Sequence, residues 1–168
     1  MKGIAAIILG AMAMSSLTDA LATVFCAGSS AAIHDALLAA ENNGADDEVR
    51  IVSGTYQAAG TGFGYATGED RALAVSGGWE PTCTRRYVTT TTTLDGGDEV
   101  RIMILEAVGP GAISVAGLTF ANGRLASGTN TGAGLYVQTE GAILIEDNVF
   151  VSNAGTDYAA GLTAGGND

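Results

Sequence analysis

Residues 48–52 read EVRIV, with apolar Val49 and Ile51 alternating with Glu48 and Arg50. That period of two predicts a half-buried strand. Residues 72–79, ALAVSGGW, and 99–105, EVRIMIL, predict two more, separated by loops rich in Gly and Thr at 58–70 and 89–93. A different period occupies residues 29–44, SSAAIHDALLAAENNG. Ser29 or Ser30 supplies an N-cap, Ile33, Leu37 and Leu38 form one apolar face, and Asn43-Gly44 ends the segment. It predicts a short helix, expected to place Ile33 and Leu37 against Val49 and Ile51 at one end of the strands.

Two internal echoes follow. DEVRI occurs at Asp47 and at Asp98, an offset of 51, which fits either two repeats or chance. ISVAGLTFANG, from Ile113, aligns with ILIEDNVFVSN, from Ile143, at an offset of 30. The second alignment matches Ile113 with Ile143, Val115 with Ile145 and Phe120 with Phe150. Repeats of short strands and Gly turns without an internal helix point to an all-β, parallel β-solenoid, whose coils bury their inner faces by stacking. The six residues form its expected core stack. Asn122 and Asn153 are the expected turn ladder, since Asn bonds neighbouring backbone and tolerates left-handed turns. The alternative is a β-sandwich with coincidental similarity.

FVSN, at 150–153, matches the FxxN element of the polymorphic outer-membrane-protein repeat. GAGL at 132–135 and AAGL at 159–162 resemble its GGA[ILV] element. In FANG, at 120–123, the asparagine comes one position early. Residues 25–56 resemble the N-terminal cap and first coil of exported bacterial right-handed parallel β-helix proteins, and SGGWEPTC and TTLDGG further on resemble the same group. The resemblance implies that fold from Cys26 to the C-terminus. It also implies a secreted or surface-displayed passenger, adhesin or stalk. The same fold carries polysaccharide lyases and glycoside hydrolases, so function must come from a site.

Composition adds a compartment. Lys2, the apolar run 4–14 and the A-x-A at 20–22 read as a signal peptide over residues 1–22, with a mature domain over 23–168. The expected location is extracellular, cell-surface or periplasmic. Cys26 and Cys83 are the two cysteines. In an oxidising compartment they read as one disulfide, worth about 4 kcal/mol on the chain-entropy model. Two free buried thiols are the alternative. The net charge of −11 is unchanged by loss of Lys2 and Asp19. It opposes binding to nucleic acid or to anionic membranes. The mature part contains no expected membrane span, and the expected partners are surface glycans or proteins. The chain ends GLTAGGND, just after a Gly-Leu corner. The reading is therefore of the N-terminal part of a longer protein, uncapped at its C-terminal end.

No catalytic constellation is legible. Glu140, Glu146, Asp147 and Asp157 lie near the repeats, and Asp95, Asp98 and Glu99 lie in an acidic turn. Paired outward carboxylates would suit a glycosidase, but isolated ones are ordinarily a solvated face. His34, the single histidine, falls on the polar side of the helix, and Ser114 has no partner for a triad. Asp147-Asn148 and Gly96-Gly97-Asp98 are weak calcium candidates without the nonapeptide calcium repeat. No cofactor is expected. A structural or adhesive module is the first reading, and a carbohydrate-active enzyme the second.

Overall fold

The computed structural model describes residues 22–89, 91–125, 132–155 and 160–166. The expected signal peptide and Asp157 lie outside them, except for Ala22. The described chain is mostly β, with one short helix and three parallel sheets.

Thirteen strands and the helix α1 (Ser30–Ala40) follow in order. The strands are β1 (Thr23–Ala27), β2 (Asp47–Val52), β3 (Gly54–Gln57), β4 (Phe63–Thr67), β5 (Leu73–Trp79), β6 (Thr92–Asp95), β7 (Met103–Ala107), β8 (Ile113–Ala116), β9 (Thr119–Ala121), β10 (Leu135–Gln138), β11 (Ile143–Glu146), β12 (Val149–Val151) and β13 (Leu162–Gly165). The first sheet is ordered β1-β2-β5-β8-β11, the second β3-β6-β9-β12 and the third β4-β7-β10-β13. From β2 onward the chain therefore visits the first, second and third sheets in strict rotation, pairing parallel at each return.

The alternation seen in the sequence decides which side chains enter the core. Val49, Val75, Val115 and Ile145 share one row of the first sheet. Tyr56, Leu94, Phe120 and Phe150 share one row of the second. Most of these side chains are buried in a single cluster, with Ile143, Ile145, Phe150 and Leu162 packed against it and partly open. Those four belong to β11, β12 and β13, the last strand of each sheet. The Phe120 and Phe150 rings stack 5.1 Å apart and within 9° of parallel.

At the other end, the Ser29 hydroxyl accepts from Ala32 N and starts α1. The helix packs against β1, β2 and β4 and buries Ile33, Ala36, Leu37 and Ala40. Leu38, expected on that face, is 56% exposed. One residue past Leu37 turns about 100° around the helix, so positions i, i+3, i+4 and i+7 face the core instead. The helix stops at Ala40, before Asn43-Gly44, because Glu41 caps it.

Two further expectations are corrected by the register. Asp47 opens β2, whereas Asp98 and Glu99 lie in the turn before β7, so the strand expected from Glu99 begins only at Met103. The DEVRI echo is thus not a structural repeat, and Val49 pairs with Val75. The Asn122 ladder also differs. Ala121 pairs with Val151, which sets Asn122 level with Ser152 and Gly123 level with Asn153. Asn122 and Ser152 both take the left-handed conformation, at φ 56° and 54°. The Asn122 amide donates at 3.0 Å to the side chain of Asp95, at the end of the neighbouring strand β6, rather than to backbone.

Candidate functional site

The corner between the first and second sheets is usually tight. Two residues connect β8 to β9, and two connect β11 to β12, but twelve lie between β5 and β6. The extra residues begin with a reversal in which Trp79 and Arg86 bridge antiparallel and Tyr87 N donates to Gly78 O at 2.7 Å. At its tip, Cys83 takes φ 52°.

Two contacts fix that tip on the outer side of the first sheet. Cys83 is disulfide-bonded to Cys26 of β1, with Cα atoms 5.7 Å apart. Arg50 of β2 donates through Nη1 to Cys83 O at 2.9 Å and through Nη2 to Glu48 at 2.6 Å. The Arg50 guanidinium also lies 4.3 Å from the centre of the Trp79 ring. Its hydrogen bond to Glu48 raises the Arg50 pKa further. These bonds join the two ends of the first half of the chain and hold residues 80–87 as a fixed wall.

Between this wall and the corner lies a cleft of about 460 Å³. It is lined by three glycines, Gly77, Gly78 and Gly117, together with Thr119 and Val149. Arg86 donates through Nε to Gly77 O at 2.8 Å, which lays its guanidinium across Gly117. A Cβ on Gly117 would come within 2.2 Å of Arg86 Nη2, and the residue has φ +67°. Glycine takes this positive φ without strain, and a side chain there would displace the Arg86 guanidinium. One strand further, the equivalent corner position is Asp147, at φ 52°. Asp147 lines the same cleft. No ion pair joins Arg86 to Asp147, so the two residues share the cleft without pairing. Tyr87 and Val88 complete the rim, with Val88 88% exposed.

The neighbouring Asn148 reads in the sequence only as a weak calcium candidate with Asp147. Its side chain is committed elsewhere. Asn148 Oδ1 accepts from Leu118 N at 3.0 Å, and Nδ2 donates to Val115 O at 2.8 Å. Asn153 does the same at the other end of β12, accepting from Gly123 N at 2.8 Å and donating to Phe120 O at 2.9 Å. At the corner between the third and first sheets, Thr139 donates to Gly111 O at 2.7 Å. The GAGL and AAGL elements lead into β10 and β13, and their glycines, Gly134 and Gly161, lie against Phe150. A Cβ on Gly134 would sit 3.1 Å from the Phe150 ring and 2.5 Å from Gly161 O. The aromatic-asparagine and Gly-Leu elements thus meet in space.

The remaining acidic candidates are dispersed. Glu146 lies on the outer side of β11, Glu140 is exposed before β11, and Asp95 ends β6. Asp95 accepts from Gly97 N at 2.9 Å and from Asn122 at 3.0 Å, and these bonds hold its carboxyl below the usual range. Asp98 sits in the turn with φ 59°. Among the described residues, no three His, Cys, Asp or Glu side chains group to hold a metal ion. His34 is exposed beside a shallow groove between α1 and the start of β4. Ser114 lies on the outer side of β8. No helix among the described residues is long and apolar enough to cross a membrane.

A buried polar group lies away from the cleft. Asp47, 4% exposed, occupies an inward position at the start of β2, level with Leu73. Asn43 donates to its Oδ1 at 2.8 Å, but Oδ2 has no partner. Burial pushes the carboxyl up against the pull of Asn43, and Asp46 and Glu69 add to the rise. The nearby Tyr65 phenol is pushed up to about 12, chiefly by burial.

Comparison with protein-family models, curated proteins and solved structures finds no match for this chain.

Proposed function

We propose that the chain forms part of an exported right-handed parallel β-helix of the polymorphic outer-membrane-protein repeat type, and that it acts as a structural or adhesive module. The observation that carries this reading is the strict rotation through three parallel sheets. Right-handed crossovers are the rule for parallel strands. Side chains at the corners bond the preceding repeat, as a solenoid requires where its backbone turns. The disulfide between Cys26 and Cys83 favours an oxidising compartment, and the signal peptide read over residues 1–22 supplies the route. Among the described residues the candidate carboxylates lie on different strands and corners, which gives the enzymatic reading no specific support.

Export is tested by expressing the chain with and without residues 1–22. The expected result is a Cys26–Cys83 disulfide and recovery outside the cytoplasm only when the segment is present. Equal retention of both forms in the cytoplasm, with free thiols, would overturn the reading.

A further inference from the structure

The cleft beside Arg86 is built with more care than a loop crossing needs. Its wall is held by a disulfide and by an Arg50 hydrogen bond to Cys83 O, and Arg50 is itself oriented by Glu48 and by stacking on Trp79. Its floor excludes a side chain at Gly117 so that Arg86 can lie flat. The Arg86 guanidinium donates through Nε to Gly77 O, its Nη2 lies over Gly117, and Arg86, Gly117 and Asp147 all line the cleft.

We propose that this cleft binds a neutral saccharide segment, held by Arg86 and Asp147 through adjacent hydroxyls. A guanidinium only donates and a carboxylate only accepts. Two neighbouring hydroxyls, each able to do both, satisfy the two groups together. Tyr87, Val88 and Val149 provide apolar surface for the C–H face of a sugar ring, and Thr91 and Thr119 add hydroxyls at the edge. The volume, about 460 Å³, falls in the range of small-ligand sites. An anionic polymer is disfavoured by the net charge of −11. The Asp147 carboxylate would also meet it directly. The assignment deepens the displayed-module reading and rests on it for access to saccharide.

The test uses the purified, disulfide-bonded protein, so it is independent of export. Saturation-transfer NMR is run with cellobiose, lactose and N,N′-diacetylchitobiose at millimolar concentration, with digalacturonate as the charged comparison. Transfer to at least one neutral sugar is expected. It should weaken at least tenfold in Asp147→Asn and in Arg86→Gln, and remain unchanged in Glu140→Gln, which lies at another corner. Circular dichroism and thiol titration confirm that each variant is folded and bonded. Gly117→Ala, which displaces Arg86 without removing it, should also weaken binding. Absence of transfer to every neutral sugar overturns the proposal. So does a stronger response to digalacturonate, or a response that the Asp147 and Arg86 variants leave intact. A folded, exported protein that binds no sugar would remove this inference and leave the module reading standing.

Discussion

Asn148 and Asn153 make the same pair of hydrogen bonds from opposite ends of β12. Each accepts from the backbone N–H thirty positions earlier and donates to the carbonyl thirty-three positions earlier. The two side chains close both corners of the second sheet where its regular backbone pairing stops. Polar residues there replace the ladder that strand geometry no longer supplies.

Loss of either amide should therefore leave a part-buried donor and acceptor unpaired. Asn148→Ala and Asn153→Ala should each destabilise the protein by about 1–3 kcal/mol. Urea unfolding followed by circular dichroism measures the loss. Asn148→Asp should recover little, since a carboxylate cannot donate to Val115 O. A loss in Asn148→Ala no larger than at an exposed position would show the bonds to be incidental.

The aromatic stack offers a graded comparison. Phe120 is fully buried, whereas Phe150 is partly open. Phe120→Ala should cost about 3–5 kcal/mol, as other buried aromatics do. Phe150→Ala should cost less, because β12 has a strand on one side only among the described residues. Equal losses in the two variants, measured by chemical unfolding, would indicate that the open side of Phe150 is covered in solution.

Reduction should act on more than the crosslink. Removing the Cys26–Cys83 bond frees a loop of 57 residues, which the chain-entropy model values at about 4 kcal/mol. It also releases the wall that Arg50 holds through Cys83 O. The Cys26→Ser/Cys83→Ser variant should show a lower Tm by calorimetry, together with faster amide exchange at residues 80–87 than at β8 and β9. Unchanged exchange in that segment would assign the wall to the Arg50 and Trp79 contacts alone.

Two aspartates should shift stability with pH in opposite directions. The Asp47 carboxyl is raised in the folded state, mainly by burial. Its contribution is present at low pH and is lost as pH rises through the folded pKa. Asp47→Asn should therefore stabilise the protein at neutral pH and remove that loss. Asp95 is held down by Gly97 N–H and then by Asn122. Its contribution is present above the unfolded pKa and is lost as pH falls through the lowered folded value. Asp95→Asn should flatten the acid side of the profile. Unfolding free energies measured across the acidic range for both variants check the two signs.

Much of the local structure was legible in the chain. Alternation located β2 and β5, and Ser29 located the start of α1. The offset of 30 between Ile113 and Ile143 is the register of β8 with β11. Side-chain period and capping chemistry are properties of neighbouring residues, so they survive without tertiary information. Strand partnership does not. The offset from Asp47 to Leu73 is 26, from Leu73 to Ile113 is 40 and from Ile113 to Ile143 is 30. The long interval contains the twelve-residue connection between β5 and β6, ten more than the two residues between β8 and β9. That insertion hides a repeat of 30 and leaves the DEVRI echo as the more visible coincidence. The candidate site was not legible for the same reason. Arg86 belongs to the insertion and Asp147 to a corner two repeats on, and they share a cleft only because parallel strands stack those corners in space. Sequence alone determined which side of β2, β8 and β9 faces the core and which residues could turn the chain. Tertiary structure decided which turns became neighbours, because connection length varies freely at a surface where backbone pairing does not constrain it.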